Sequence, residues 1–145
     1  MNLASPLLQP LVVLLAWSMV VWLWVLVTRI PTMQAMKIRL DPTLPPAELT
    51  RPLPAKVRWK ADNYNHLMEQ PTLFYAAALT LALADPGNRI ALAAAWAYVG
   101  LRIAHSLVQT LINHIPTRFS LFVFSSLALV LMIFQAAMAV FWARS

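Results

Sequence analysis

The chain carries four long apolar stretches with little charge inside them, at about residues 7–27, 67–84, 90–112 and 119–142. Each is close to the roughly 20 residues that an α-helix needs to cross a bilayer core. Their apolar residues run on continuously instead of alternating, which argues for helices and against the strands of a membrane barrel. Turn-forming residues separate the last three: Asp85-Pro86-Gly87-Asn88 closes the second stretch, and Asn113-His114-Ile115-Pro116-Thr117 follows the third. Connections this short force antiparallel neighbours. The pattern therefore predicts an up-down bundle of four transmembrane helices, a single domain over 1–145. Residues 28–62 differ, because Pro31, Pro42, Pro45, Pro46, Pro52 and Pro54 lie there. Proline lacks an N–H and crowds the preceding turn, so a long loop with no uninterrupted helix is expected.

Composition turns this pattern into a class. Hydrophobic residues make up 61% of the chain and charged ones 11%, against roughly 45–50% and 25% in soluble domains. A water-soluble domain would lack polar surface, and a disordered chain would be far less apolar. The reading is an all-α integral membrane protein. There is no cysteine, which excludes disulfides, thiolate nucleophiles and Cys-based metal sites. The net charge of +6 is unevenly placed. Seven of the eleven Lys and Arg residues fall within 28–62, Arg118 follows the third stretch, and Arg89 and Arg144 flank the opposite side. The positive-inside rule then puts the long basic loop and Arg118 in the cytoplasm. Both termini are expected outside, in the periplasm for a bacterial inner membrane. A basic loop also touches anionic lipid headgroups, so the charge excess calls for no nucleic-acid partner. The first stretch has no basic start and no small-residue cleavage site after it, and it reads as a span and not a signal peptide.

A charge at the centre of a spanning helix costs about 2.5–3.5 kcal/mol on insertion scales, and such residues face a bundle interior or a watery cavity. Here the polar residues gather towards the inner end: Arg29, Asn65, His66, Glu69, Arg102, His105, Gln109 and Arg118. Arg102, His105 and Gln109 stand at i, i+3 and i+7 and share one helix face. Arg102 lies roughly 14 Å from the inner end of its helix at 1.5 Å per residue. It needs a partner, and Glu69 is the one carboxylate within a span, so a buried Arg102–Glu69 bridge is expected. Taken alone, Arg29 and Arg118 read as snorkelling anchors at helix ends, and His105 as an interhelical hydrogen bonder. Three scattered histidines beside arginine charge do not make a metal site.

Two segments look familiar. Asn65-His66-Leu67-Met68-Glu69-Gln70-Pro71, and Leu101-Arg102-Ile103-Ala104-His105 continuing to Arg118, resemble the MAPEG family (membrane-associated proteins in eicosanoid and glutathione metabolism). The likeness is to its microsomal prostaglandin E synthase and microsomal glutathione transferase branches, and a prokaryotic member is expected. The resemblance implies a homotrimer with sites between adjacent subunits near the cytoplasmic face, each binding glutathione. It places Arg118 where the family has the arginine that holds the sulfur as thiolate. Glu69 and Arg102 match the glutathione-binding Glu and the helix-three Arg, and Arg29 stands where some members keep a second Arg. His66, beside Asn65, takes the usual Asn slot. Gln109 replaces a Tyr one turn after His105, Phe119 a Ser and Phe122 a Tyr. The resemblance thus nominates Arg118 as catalytic and the other seven polar residues as thiol-binding, with no metal.

The chemistry is coherent. A free thiol, pKa about 8.5, is mostly protonated at neutral pH, and a cation at a helix N-terminus favours its ionised form. Arginine cannot release its proton, so it stabilises charge without acting as a base. The leading reading is a glutathione-dependent transferase or peroxidase for lipophilic small molecules that arrive through the membrane. The alternatives are a non-catalytic lipid- or thiol-binding module of the same fold, and a small exporter in which Glu69 couples protons to a cation.

Overall fold

A computed structural model describes residues 5–142; Arg144, placed above on the outer side, lies outside the described residues. Six helices follow one another: α1 (Leu8–Ala35), α2 (Pro46–Thr50), α3 (Ala55–Met68), α4 (Pro71–Ala84), α5 (Arg89–Leu111) and α6 (Ile115–Phe141). There is no strand among the described residues.

The expected loop over 28–62 needs correction. α1 does not end near Val27 but continues through Arg29 and Pro31 to Ala35. Thr28 Oγ1 donates to the Trp24 carbonyl at 2.7 Å, and Thr32 Oγ1 to that of Thr28 at 2.7 Å. Threonine hydroxyls and local backbone adjustment of this kind let membrane helices tolerate a proline. The helix stops at Lys37, whose φ of 51° is left-handed. Ile38 N–H bonds to Met33 O and Lys37 N–H to Gln34 O, the paired bonds of a Schellman cap. Further on, prolines start helices instead of forbidding them. Pro46 opens α2 and Pro54 precedes α3, positions where no N–H is needed. α3 is tied to α1 through Lys60, which is buried. Its Nζ donates to the Lys56 carbonyl at 2.8 Å and lies 5.2 Å from the Trp24 ring centre. Burial, then the Lys56 charge, holds this ammonium below the ordinary lysine pKa.

The stretch 67–84 is not one helix either. Pro71 cannot donate to the turn before it, and the chain bends at Glu69 (φ −86°, ψ −96°) before α4 restarts with Pro71 in its first turn. α4 has 14 residues, about 21 Å at 1.5 Å per residue. Among the described residues three helices, α1, α5 and α6, are long and apolar enough to cross a membrane. The predicted stretches 90–112 and 119–142 appear as α5 and α6, the latter beginning at Ile115 because Pro116 fits its first turn.

α5 packs along α6, α1 against α3 and α5, and α4 against α6 and α1. At the centre Phe74 of α4 stacks on Tyr98 of α5 with ring centres 4.6 Å apart. Leu14, Leu81 and Met132 are buried in the same core. Ala78, Ala91 and Ala95 are buried as well, and small residues let membrane helices approach closely. Asn88 fastens the α4–α5 turn: its Oδ1 accepts from Ala91 N–H at 2.8 Å, and its Nδ2 donates to Asp85 and to Gln135 of α6. Large apolar side chains such as Val12, Leu23, Val130 and Phe134 stay exposed, which suits a surface facing lipid or another subunit.

The Schellman cap generates a test. A non-glycine residue in the left-handed region costs about 1–2 kcal/mol, part of which glycine returns as chain entropy. Lys37→Gly should raise stability by up to about 1 kcal/mol, and Lys37→Val should lower it by a similar amount. Unfolding in detergent measures both, and identical melting of the two variants would contradict this cap.

Candidate functional site

The last turns of α3, the break before α4, the far half of α5 and the first turn of α6 converge on one polar region. Two adjoining cavities occupy it, of about 300 and 430 Å³, and they share His66, Glu69 and Arg118. The first is the more polar, with Trp59, Asp62, Asn65, Gln109 and Asn113 in its walls. The second is lined by Arg102 and His105 together with Phe119 and Phe122. The structure thus brings together Asn65, His66, Glu69, Arg102, His105, Gln109 and Arg118. Arg29 is the exception: within the protomer it lines a separate cavity with Arg51 and Arg58.

Arg118 sits in the first turn of α6, where unpaired backbone N–H groups add positive potential. Its Nη1 donates to Asn113 Oδ1, while its buried Nε has no partner within the protein. Asn113 can do this because it closes α5 in the left-handed region, φ 56°, which asparagine tolerates better than most residues. Its backbone N–H reaches back to Val108 O at 2.6 Å.

Arg102 is 3% exposed. Its Nε donates to the Tyr98 hydroxyl at 3.2 Å, and its guanidinium carbon lies 5.3 Å from the ring centres of both Tyr98 and Phe122. The expected Arg102–Glu69 bridge does not form. Glu69 turns outward at the helix break with 67% of its side chain exposed and contacts His66 Nδ1 at 3.2 Å. That is the sole contact of salt-bridge length between a carboxylate and a basic side chain among the described residues. A tyrosine hydroxyl and two aromatic faces take the place of the carboxylate, and cation–π contacts of this kind strengthen when desolvated. Arg102 Nη2 still lacks a partner, as does Gln109 Oε1.

His105 is buried beside Arg102 on the same face of α5, its ring edge-on to that of His66 at 6.3 Å between centres. Behind the cavities two polar contacts hold the walls together. Asn63 of α3 donates to Ser106 of α5, and Gln70 at the break donates to Ser126 of α6 at 2.9 Å. Sequence reasoning missed Tyr98 and Asn113. The signals were present: Tyr98 stands one turn before Arg102, and Asn directly after a helix is a common left-handed cap. Among the described residues no group of three His, Cys, Asp or Glu side chains is arranged to hold a metal ion.

The residues also fit a thiol peptide. The buried guanidinium N–H groups that lack partners are donors for anionic groups, Gln109 Oε1 is a free acceptor, and exposed Glu69 is available to an ammonium. The fold and the site together define an integral membrane protein with a cationic pocket among its helices. A model of the MAPEG family matches residues 7–138, and the chain belongs to the MAPEG family. No curated protein and no solved structure matches it.

The Asn113 contact separates backbone from side-chain effects. Asn113→Ala loses both the bond to a charged group, worth about 1.5–3 kcal/mol, and a residue suited to a positive φ. Asn113→Gly loses the bond alone. Both should melt lower than wild type, with the alanine variant lowest; equal melting of all three would show that Asn113 does not position Arg118.

Proposed function

We propose that the protein is a membrane-bound thiol transferase or peroxidase that uses glutathione against lipophilic electrophiles, with Arg118 stabilising the thiolate. The observation that carries this reading is the composition of the larger cavity: the buried guanidinium of Arg102 and the half-buried one of Arg118 share it with the phenyl rings of Phe119 and Phe122. The cations suit an anion and the phenyl rings an apolar molecule, so both reactants have a place within one cavity. A thiol bound there would supply a nucleophilic sulfur. The chain's own contribution is electrostatic: Arg118 aims a fixed charge, braced by Asn113, at the sulfur's position. Glu69, Asn65 and His66 at the polar cavity hold peptide groups, and His105 and Gln109 position the ligand. Neither Arg gives up a proton.

The same reading includes the assembly. The fourth span is formed by α4 with the last residues of α3, giving the up-down four-helix unit. Three copies form a homotrimer, with the polar cavities at the cytoplasmic end and both termini on the periplasmic side of a bacterial inner membrane. Family membership supports this arrangement, as does the exposed apolar surface of α1 and α6. A second reading, a lipid- or thiol-binding module without chemistry, is favoured by one feature: Phe119 and Phe122 offer carbon where the family resemblance implies the hydroxyls of a Ser and a Tyr. The exporter reading has less support, because Glu69 lies exposed at a helix break and not within a mid-membrane pathway.

Arg118→Ala should lower the transferase rate by roughly 10²–10³ while glutathione affinity falls much less, because Arg118 acts mainly on the ionised sulfur. Arg118→Lys should keep part of the rate, since charge persists without the fork geometry. Steady-state kinetics with calorimetric binding measures both. Loss of affinity and rate in equal proportion would reduce Arg118 to a binding group, and unchanged rates would reduce it to a membrane anchor. Native mass spectrometry should show trimers; monomers or dimers alone would contradict the proposed assembly.

A further inference from the structure

The cavity that contains Arg29 adjoins the Arg118 region, with Asp62 lining both, but has its own set of cationic residues. It encloses about 250 Å³ between the end of α1, α2 and the start of α3. Three guanidinium groups line it, Arg29 from α1, Arg51 after α2 and Arg58 from α3, against one carboxylate, Asp62. Leu53, which is buried, and Val57 give it an apolar floor. None of the three guanidinium groups makes a side-chain hydrogen bond or ion pair with the described residues. Lys60, on the same helix as Arg58, is engaged with the Lys56 carbonyl and the Trp24 ring.

Three guanidinium groups against the one carboxylate of Asp62 leave the cavity with excess positive charge, screened in part by water because Arg51 and Arg58 are exposed, and a further anion is favoured there. The depth of the cavity points to which anion. From Leu8 to Val27, α1 rises about 30 Å, the thickness of a bilayer's hydrocarbon core. Arg29 therefore emerges at the level of lipid phosphates. The planar guanidinium fork matches phosphate oxygens bidentately, and the apolar floor suits the carbon next to a phosphate ester.

We propose that this cavity binds a phosphate ester on Arg29, Arg51 and Arg58, presented as an anionic phospholipid headgroup or as a soluble organic phosphate. The site borders the thiol pocket at Asp62, but Arg51 and Arg58 have no part in that pocket. The full-length protein in non-ionic detergent is unfolded thermally while it is titrated with phosphatidylglycerol, with phosphatidylcholine, and with glycerol 3-phosphate. Phosphatidylglycerol should raise the melting temperature at lower concentration than phosphatidylcholine. The double variant R51Q/R58Q should need roughly thirty-fold more of it, from about 1 kcal/mol per basic group near a membrane surface. The variant R51K/R58K should keep the part of the response that depends on charge while losing the bidentate fork, and guards against a folding defect. Stabilisation by phosphatidylglycerol alone assigns the site to lipid, and stabilisation by glycerol 3-phosphate as well assigns it to phosphate esters generally. Equal action of the two lipids, no stabilisation by either phosphate ester, or a wild-type response from R51Q/R58Q would overturn the proposal.

Discussion

A guanidinium group cannot be neutralised, so a protein that sets one among apolar helices must surround it with something other than water. Arg102 is the centre of this problem, almost fully buried and without a carboxylate in contact. Its surroundings are built from the Tyr98 hydroxyl and the faces of Tyr98 and Phe122. These contacts satisfy the geometry of the cation but leave its charge in place. Arg118, held by the Asn113 side chain, adds a second such charge to the same cavity wall. A carboxylate bridge would have cancelled the field on which the proposed thiolate depends. Aromatic and hydroxyl contacts preserve it.

The helix break before α4 follows from the same constraint. Pro71 ends α3 and leaves Glu69 exposed at the break, in contact with His66 and not with the buried arginine. α4 is then free to lay Phe74 on Tyr98, the side chain that supports Arg102. Asn63–Ser106 on one side of the break and Gln70–Ser126 on the other tie the displaced segments to α5 and α6. One proline thus links the core packing, the exposure of the carboxylate and the charge of the cavity.

Hydropathy made the long helices legible, since continuous apolar runs leave few alternatives, and α5 and α6 lie close to where the pattern places them. The spacing of Arg102, His105 and Gln109 correctly put three buried side chains on one face. Proline was harder to read. Pro31 is accommodated inside α1, Pro46 and Pro54 begin helices, and Pro71 divides one, so the same residue type has three outcomes set by its neighbours. The partner of Arg102 was sought among carboxylates, where charge bookkeeping leads. A tyrosine on the preceding turn, whose ring and hydroxyl both serve, is invisible to that search. Arg29 matched a family position in sequence, yet its place beside Arg51 and Arg58 depends on how residues 38–58 fold back on α1, which no local pattern encodes.

The central claim is that uncompensated positive charge in the cavity ionises a bound thiol. Its most direct test is a pH titration of the ultraviolet thiolate absorbance of wild-type protein saturated with glutathione. A bound thiol with an apparent pKa well below the ordinary value of about 8.5, giving a full thiolate signal at neutral pH, is the predicted result. A bound thiol that titrates at its ordinary value, with no thiolate absorbance at neutral pH, would contradict the account.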